Sequence, residues 1–472
     1  MTEICFMTAL ELRRAVDRRD LSAGEAVRAH LEQIERVNPA VNAVVTLVAE
    51  RALADAEAVD RRLARGEDPG PLRGLPVAHK DLHDTAGIRT TYGSPLWADH
   101  VPDADDLIVA RIRAAGAITL GKTNVPEFGA GSHTFNPVFG ATRNPYDLGR
   151  SAGGSSGGAA AGLACGMFAI ADGSDTGGSL RNPASFDNVV GFRPSPGRVP
   201  NWPSRLGWTT INVKGPMART VADAALLLSA VAGPDPRVPN SLETPGSAFA
   251  APLDRDLRGL RVAWSPDLGG RVPVDPEVAE VVRDAAAVFE GLGCQVEETC
   301  PDLSGADEAF LVQRAWMFEV AYGPLVETHP DQVKETIHWN VEQGRRLSGH
   351  DLARAEVLHT ALHVRVAEFF EGHDVLLLPV SQVPPFPIDV EYPTEVAGVR
   401  METYLDWMRS AYLISATGCP ALSVPGGFTT AGLPVGVQLV GPPRGDLGVL
   451  QVGHAFEQAT GHGRRRAAVA GG

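Results

Sequence analysis

The stretch RSAGGSSGGAAAGLACGMFAIADGSDTGGSLRNP, residues 150–183, decides how this chain is interpreted, because it holds two clusters of glycine and serine. The first cluster is GGSSGG at 153–158, and the second is GSDTGGS at 173–179. Glycine permits positive φ and lets other atoms approach the backbone closely, so such clusters suit a site where N–H groups surround a ligand. The pattern suggests a nucleophilic serine, but it does not identify which serine this is or which residue accepts its proton.

Helices and strands alternate on both sides of this stretch. Residues 75–78 predict a strand that delivers Lys80, residues 106–116 an amphipathic helix, and residues 117–120 another strand. Further strands are predicted at 260–264, 294–297, 374–378, 420–425 and 435–440, and a closing helix at 446–460. This alternation indicates an α/β fold with a mixed, largely parallel central sheet that helices cover on both faces.

The organisation predicts one domain over residues 1–472. Residues 1–66 form a helical N-terminal cover, residues 67–225 a glycine-rich core, and residues 226–472 the remainder, with a mainly helical segment at 303–372. In the cover, a capping box at 22–25 begins a helix that Asn38-Pro39 should end, and a second helix is expected over 47–65. The proline-rich residues 234–256 are interpreted as a surface excursion within this domain.

Composition places the chain among soluble globular proteins. It has 472 residues, 44% hydrophobic and 21% charged, with a net charge of −15. That charge argues against nucleic acid or an anionic membrane as the main partner. The sequence has no apolar run of 18 residues, and its five scattered cysteines form no C-x-x-C pair. We therefore expect a cytoplasmic protein without a disulfide framework or a zinc site.

One motif suggests a nucleotide-binding P-loop. Residues 116–123, GAITLGKT, match G-x-x-x-x-G-K-[ST] letter for letter. A P-loop follows a strand and opens a helix, whereas here an amphipathic helix precedes Gly116, residues 117–120 resemble a strand, and Pro126 follows closely. A P-loop NTPase is therefore a disfavoured alternative.

A second motif suggests a nucleophile elbow. Residues 153–157, GGSSG, satisfy G-x-S-x-G, which in that arrangement sits between a buried strand and a helix. The preceding residues 144–152 are polar and prone to turns, so they do not predict a buried strand. Four histidines lie downstream, at 338, 350, 359 and 363, and none of them lies in a motif that indicates a catalytic role. This alternative stays open at the level of sequence.

A third interpretation joins both clusters to Lys80. A serine nucleophile needs a base and donors for the developing oxyanion. Residues 176–179, TGGS, offer consecutive backbone N–H groups beside a serine, with two glycines that leave the approach open. Lys80 follows an apolar run, and burial lowers the pKa of a lysine toward a neutral amine that accepts a proton. Ser155 can then relay the proton between Ser179 and Lys80.

These motifs resemble those of the amidase signature family of C–N hydrolases. The matching pieces are GLPVAHKD at 74–81, GKTNVPEF at 121–128, GGSSGG at 153–158, GSDTGGSLR at 173–181 and GFRP at 191–194. The resemblance covers most of the chain and is densest between residues 74 and 222. Its order and spacing make it specific, and it implies the amidase signature fold.

The resemblance implies a role for each matching residue. Ser179 would be the nucleophile, Ser155 the relay serine after a cis peptide bond, and Lys80 the base. The oxyanion donors would be the N–H groups of Thr176, Gly177, Gly178 and Ser179. Gly131 and Ser132 match a loop that lines the acyl pocket in the family, with substrate contact and plain loop as equal alternatives. The implied activity is hydrolysis of a small-molecule carboxylic amide through an acyl-serine intermediate, with no cofactor and no metal.

Some residues depart from the pattern or are given structural roles. His79 stands where an aliphatic residue is usual, and His83 lies nearby, but a strand and turn do not present this pair as metal ligands. Asp187 occupies a position often held by cysteine. Lys122 and Asp175 are expected to be structural. Packing is likewise the better expectation for four aromatic residues, namely Trp202, Trp208, Trp316 and Phe318.

A narrower alternative exists within the same chemistry. The glutaminase subunit of a tRNA-dependent amidotransferase would release ammonia from glutamine and would need a partner subunit. Residues 129–136, GAGSHTFN, do not resemble the usual sequence of that subunit, so we rank it below an amidase that works alone. A homodimer is one expected oligomeric state.

Overall fold

The computed structural model describes residues 2–471. The helices are α1 (Thr2–Phe6), α2 (Ala9–Arg18), α3 (Ala23–Val41), α4 (Ala49–Ala64), α5 (Leu107–Ala114), α6 (Gly157–Ala164), α7 (Arg181–Phe186), α8 (Val221–Val231), α9 (Pro276–Gly291), α10 (Ala306–Thr328), α11 (Glu335–Arg345), α12 (Gly349–Gly372), α13 (Arg409–Thr417) and α14 (Asp446–Thr460).

The strands of the main sheet are β1 (Val44–Leu47), β2 (Pro76–Lys80), β3 (Ile118–Thr123), β8 (Ile170–Asp175), β9 (Val190–Arg193), β10 (Val213–Ala218), β11 (Arg261–Trp264), β12 (Gln295–Glu298), β13 (Val375–Pro379), β16 (Ala421–Phe428) and β17 (Pro434–Val440). Short hairpins contain β4 (Phe135–Asn136), β5 (Gly140–Ala141), β6 (Arg143–Asn144), β7 (Asp147–Ser151), β14 (Glu395–Val396) and β15 (Val399–Arg400).

One continuous sheet runs in the order β1-β3-β2-β8-β10-β9-β16-β17-β13-β11-β12. The pairs of β2 with β3 and β8, and of β11 with β12 and β13, are parallel. The strands between these two flanks, from β8 through β17 to β13, pair antiparallel. The predicted mixed α/β sheet with helices on both faces is confirmed, and its parallel pairing is concentrated in the two flanks.

Side chains alternate between the two faces of the sheet, as the pleat requires. Val77 and Leu377 belong to a hydrophobic cluster shared with α5, α8, α9 and α14 on one face. Their neighbours Ala78 and Leu376 belong to two clusters on the other face, the first with α3, α4 and α6 and the second with α10, α12 and α13. Both faces of the sheet are thus buried under helices.

The helical cover differs from its prediction in two places. Helix α3 continues through Pro39 to Val41, because the proline lies in the last turn, where its missing N–H removes little of the helix. The side-chain oxygen of Asn38 then accepts hydrogen bonds from the Ala43 and Val44 N–H groups. Residues 44–47 form β1, an edge strand that the sequence did not predict, because they pair with the buried β3. The following helix α4 therefore begins at Ala49 rather than at Leu47.

The fold brings Lys80 and the second glycine cluster together at the carboxyl ends of two neighbouring strands. Strands β2 and β8 are parallel neighbours, with Ala78 opposite Ala171. Lys80 ends β2 and Asp175 ends β8, so both lie where the carboxyl ends of the two strands meet. Helix α6 begins at Gly157 beside these ends and packs against β8 and β2.

Candidate active site

Lys80 lies at the centre of the site and is fully buried. Its Nζ atom is 2.9 Å from Ser155 Oγ, 2.8 Å from Ser156 Oγ and 3.0 Å from Ser174 Oγ. It is also 3.4 Å from the carbonyl oxygen of Ser174. Because each hydroxyl can donate or accept, the surroundings accommodate an amine with two N–H groups and one lone pair.

Burial lowers the pKa of Lys80 to about 7, although Asp175 and Asp172 favour the charged form and oppose the fall. An ordinary exposed lysine is almost fully protonated at neutral pH, whereas this one is partly neutral there. A neutral amine that touches a serine hydroxyl is a general base in the position where one is needed.

Ser155 directly precedes Ser156, the residue that caps α6. The peptide bond between Gly154 and Ser155 is cis, as the resemblance implied. The carbonyl oxygen of Gly154 accepts a hydrogen bond of 2.7 Å from the Ser132 hydroxyl, which fixes the backbone just before Ser155. Ser155 is nearly buried and contributes to the lining of a cavity.

Ser179 is the more accessible of the two predicted reacting serines. Its carbonyl oxygen accepts a hydrogen bond of 3.2 Å from the Ser156 N–H, which holds the second cluster against the first. Both Ser155 and Ser179 line the cavity. Among residues 2–471, no hydrogen bond joins the two serine hydroxyls directly, and such contacts in unliganded enzymes often tighten only when substrate binds.

Asp175 shapes the turn that leads to Ser179. Its Oδ1 accepts from the Gly178 N–H at 2.9 Å and its Oδ2 from the Leu180 N–H at 3.1 Å. The guanidinium groups of Arg181 and Arg193 bind the same carboxylate and, against its burial, lower its pKa. Gly178 adopts a φ of 118°, in a region that favours glycine.

This arrangement changes the predicted oxyanion hole. The N–H group of Gly178 already donates to Asp175, so Gly178 shapes the turn instead of acting as a donor. Within the described chain, the N–H groups of Thr176, Gly177 and Ser179 have no hydrogen-bond partner outside the regular ladders. Three of the four predicted donors therefore remain available beside the cavity.

The cavity that contains both serines has a volume of about 500 Å³. This size suits a small molecule rather than a macromolecular chain. Its lining includes polar groups, among them His83, Asp84 and the ion pair of Lys214 with Asp106. The rest of the lining is mainly aromatic and aliphatic, and much of it comes from α10. Both serines and the three N–H groups thus lie at the wall of a pocket that can hold an amide, and Lys80 is buried behind Ser155.

Comparison with known proteins agrees with this geometry. The family model described as Amidase matches residues 25–450. The chain belongs to the amidase signature family. It is 37% identical to an acylamidase of Rhodococcus erythropolis over 97% of this chain and 96% of that protein. It is 38% identical to a glutamyl-tRNA(Gln) amidotransferase subunit of Moorella thermoacetica, over 98% of this chain and 99% of that protein.

A solved bacterial aryl acylamidase of the amidase signature family is similar throughout. It superimposes with a TM-score of 0.91 at 30% identity, covering 99% of each chain. This amidase is therefore a hydrolase of C–N bonds other than peptide bonds, and it acts on small-molecule amides. Between residues 2 and 471, the amidase has no helix long and apolar enough to cross a bilayer.

The structure separates the predicted substrate contacts of this amidase. Gly131 lines the large cavity, whereas Ser132 does not. The Ser132 hydroxyl donates to Gly154 and accepts from the Asn182 side chain, so it supports the backbone beside the relay position. Of the four aromatic residues considered, Phe318 lines the cavity, and the other three do not. Trp208 is 79% exposed.

The two histidines of the amidase meet on one buried carboxylate. Both His79 and His83 place Nδ1 on Asp172, at 2.7 Å for His83, and the Lys80 backbone N–H donates to the same group at 2.9 Å. His79 Nε2 also contacts Thr119 Oγ1 at 3.0 Å. Both rings are therefore buried and hydrogen-bonded to the same carboxylate. Within the described residues, no group of three or more His, Cys, Asp and Glu is arranged to hold a metal.

Sequence reasoning missed Asp172 and the hydroxyls of Ser156 and Ser174. Asp172 lies in the buried strand that leads into the second cluster, and a buried acid in such a strand is itself a signal. Ser156 is next to Ser155, and Ser174 belongs to the second cluster, but only the fold shows that both touch Lys80.

The P-loop alternative fails in the structure. Gly121 to Thr123 belong to β3, and the Lys122 ammonium is buried against the His83 carbonyl and the hydroxyls of Thr85 and Thr90. Lys122 is thus structural, as predicted. The nucleophile-elbow alternative lacks its histidine, because the buried partner of Ser155 is Lys80.

Asp187 is a further departure that the structure places in the core. It is fully buried, and neither carboxylate oxygen has a hydrogen-bond partner in the described chain. Burial therefore raises its pKa well above the usual value, which favours the protonated acid. Asp187 lies outside the catalytic cavity.

Proposed function

We propose that Ser179 is the nucleophile of this amidase, that Ser155 relays its proton and that Lys80 is the base. The observation that carries the proposal is the 2.9 Å contact of the buried Lys80 Nζ with Ser155 Oγ, at the wall of the cavity that also contains Ser179. Lys80 has a pKa of about 7, so a large fraction is neutral at neutral pH.

The acylation step transfers two protons along the relay and forms one bond between Ser179 and the carbonyl carbon. Neutral Lys80 takes the proton of Ser155, and Ser155 takes that of Ser179 as its oxygen attacks the amide carbonyl. The N–H groups of Thr176, Gly177 and Ser179 donate to the developing oxyanion. The Asp175 carboxylate keeps the turn in the conformation that presents these groups.

Collapse of the tetrahedral intermediate breaks the C–N bond. Ser155 gives its proton to the leaving amine and regains one from the protonated Lys80. Water then attacks the acyl ester of Ser179 with the same two residues as base, which releases the carboxylic acid and restores the enzyme. Each step uses this chain's own side chains.

A trapping experiment tests the assignment. The enzyme is mixed with a short-chain p-nitroanilide, quenched in acid during the initial burst and digested with trypsin. Residues 151–181 contain no internal Lys or Arg, so both serines fall in one peptide and fragment ions must locate the acyl group. We expect the acyl mass on Ser179 and its loss in Ser179→Ala. An acyl group on Ser155 would instead support the elbow arrangement.

The glutaminase alternative is favoured by a separate observation. The relative from Moorella thermoacetica is an amidotransferase subunit with 38% identity across almost all of both chains. Release of ammonia from L-glutamine by the purified chain, or only after a partner protein is added, would identify that role. Release of p-nitroaniline without ammonia from glutamine would support an amidase that works alone.

Three finer proposals accompany this function. We take residues 1–472 to act as a single domain, because the central sheet is continuous from β1 to β12. A homodimer and a cytoplasmic location stay predictions. Size-exclusion chromatography with light scattering separates a dimer of this 472-residue chain from a monomer.

A further inference from the structure

Helix α10 forms one wall of the catalytic cavity. It contributes Phe310, Arg314, Met317, Phe318 and Tyr322 to the lining, together with smaller apolar residues. Arg314 is the one charged residue that this helix brings to the cavity within the described chain. A cation in an otherwise apolar wall needs a physical reason, since burying an unpaired charge is costly.

Four arginines of the described chain are buried, and Arg314 differs from the other three. Arg181 and Arg193 pair with Asp175, and Arg198 pairs with Asp446. Arg314 is 6% exposed and has no carboxylate within 4.0 Å among residues 2–471. Within the described chain, Arg314 thus lacks the carboxylate partner that the other three buried arginines have.

The remaining contacts hold the Arg314 guanidinium without neutralising it. Its Nη2 donates to the Tyr404 hydroxyl at 2.6 Å, and its Nε has no partner. The group lies 4.3 Å from the centre of the Phe318 ring and 5.8 Å from that of Tyr404. These cation–π contacts fix the plane of the group, so it is prepared to bind a carboxylate through parallel N–H groups.

Arg314 lies close to the proposed oxyanion turn. A Cβ built on Gly177 would be 3.0 Å from the Phe310 ring, so that ring packs against the turn. Arg314 is one helical turn further along, where side chains four residues apart are about 5–6 Å from each other. A carboxylate bound there would be separated from the scissile carbonyl by a short spacer of roughly two to four methylene groups.

We infer that Arg314 binds a carboxylate of the substrate, and that this enzyme selects amides that carry a carboxylate a short distance from the scissile bond. The inference rests on the proposed function, because it places the amide at Ser179. The cavity also contains Asp84, whose carboxylate accepts from the Tyr92 hydroxyl. Repulsion by that carboxylate means that an anionic group is expected at Arg314 and not beside Asp84.

Paired substrates test the selection. Glutaryl p-nitroanilide is compared with neutral pentanoyl p-nitroanilide, which places the charge on the acyl side. N-butanoyl-4-aminobenzoate is compared with N-butanoylaniline, which places it on the amine side. We expect kcat/KM to favour the charged member of one pair by tenfold or more. Equal values within both pairs would overturn the inference, even if all four amides are cleaved.

Variants at Arg314 assign the selection to this residue. Arg314→Met keeps an apolar stem against Phe318 and should lower kcat/KM for the charged substrate by about tenfold to a hundredfold. The neutral substrate should change by less than about threefold, and Arg314→Lys should restore part of the preference. Equal losses for charged and neutral substrates, with a lower melting temperature, would mean that Arg314 only supports the fold.

Arg205 offers a matched control. It also lines the cavity but is exposed, and it has no ion pair in the described structure. Arg205→Met removes the same charge, and its effect on the charged substrate should be small and should vanish at high salt. If Arg205→Met has an effect as large as that of Arg314→Met, with the same salt dependence, the charged substrate is attracted by the overall electrostatic field of the cavity and not bound at Arg314.

Binding without turnover separates this inference from the proposed mechanism. The charged amide of the pair that shows the preference is titrated calorimetrically into Ser179→Ala and into Ser179→Ala with Arg314→Met. We expect the second variant to bind at least tenfold more weakly, and equal affinities would overturn the inference. A wrong nucleophile assignment is seen independently, as turnover that persists in Ser179→Ala.

Discussion

The state of Lys80 predicts how activity depends on pH. Burial lowers its pKa from the usual 10.5 to about 7, which corresponds to ~5 kcal/mol in favour of the neutral amine. The base must be neutral to accept the proton of Ser155. Because half of it is neutral at pH 7, about a tenth at pH 6 and nine tenths at pH 8, kcat/KM should fall about tenfold from pH 8 to pH 6.

The assay is kcat/KM for a neutral p-nitroanilide between pH 5.5 and 9.5 at constant ionic strength. Below pH 6 the logarithm should fall with a slope of one. Lys122 is the neighbouring group most easily confused with Lys80, because burial lowers its pKa to about 8. Burial lowers the pKa of His83 below the ordinary histidine value, away from this window. The residual activity of Lys80→Met should therefore lose the limb near pH 7.

Two results would refute this reasoning. The first is a flat kcat/KM from pH 6 to pH 8, which would mean that Lys80 does not titrate there. The second is a limb near pH 7 that survives in Lys80→Met, which would assign the titration to another group. A melting temperature measured across the same range separates loss of activity from loss of the folded state.

Four further substitutions test the surroundings of the site. In a p-nitroanilide assay, Ser155→Ala should lower kcat by about 10²–10⁴. The matched Ser156→Ala also removes a hydroxyl that touches Lys80, but one that does not line the cavity, so it should lower kcat by less than about tenfold. Asp175→Asn should lower the free energy of unfolding by about 3–5 kcal/mol in urea titrations, because it leaves two buried guanidinium groups without their carboxylate. Ser132→Ala should cost about 1–3 kcal/mol in the same titrations and leave KM unchanged, and a raised KM would restore its predicted contact with substrate.

Local sequence determined much of the fold. The capping box at Ser22 begins α3, and α14 spans Asp446–Thr460 as predicted. These signals are readable because a helix start depends on a few adjacent residues. The end of α3 beyond Pro39 and the strand β1 were not predicted, because they depend on a side-chain cap and on pairing with a strand far along the chain.

The two glycine clusters and a lysine at the end of an apolar strand were also visible in the sequence, since both are local patterns. The tertiary structure decided how they meet. Parallel pairing of β2 with β8 places Lys80 beside Ser174, and packing of α6 against both strands brings Ser155 to the same amine. The Asp175 carboxylate accepts the hydrogen bond of the Gly178 N–H group. Only the tertiary structure shows that Arg314, which is 135 residues beyond Ser179, lines the cavity without an acidic partner in the described chain. Hydrogen bonds and burial between distant segments set these features, and no local pattern encodes them.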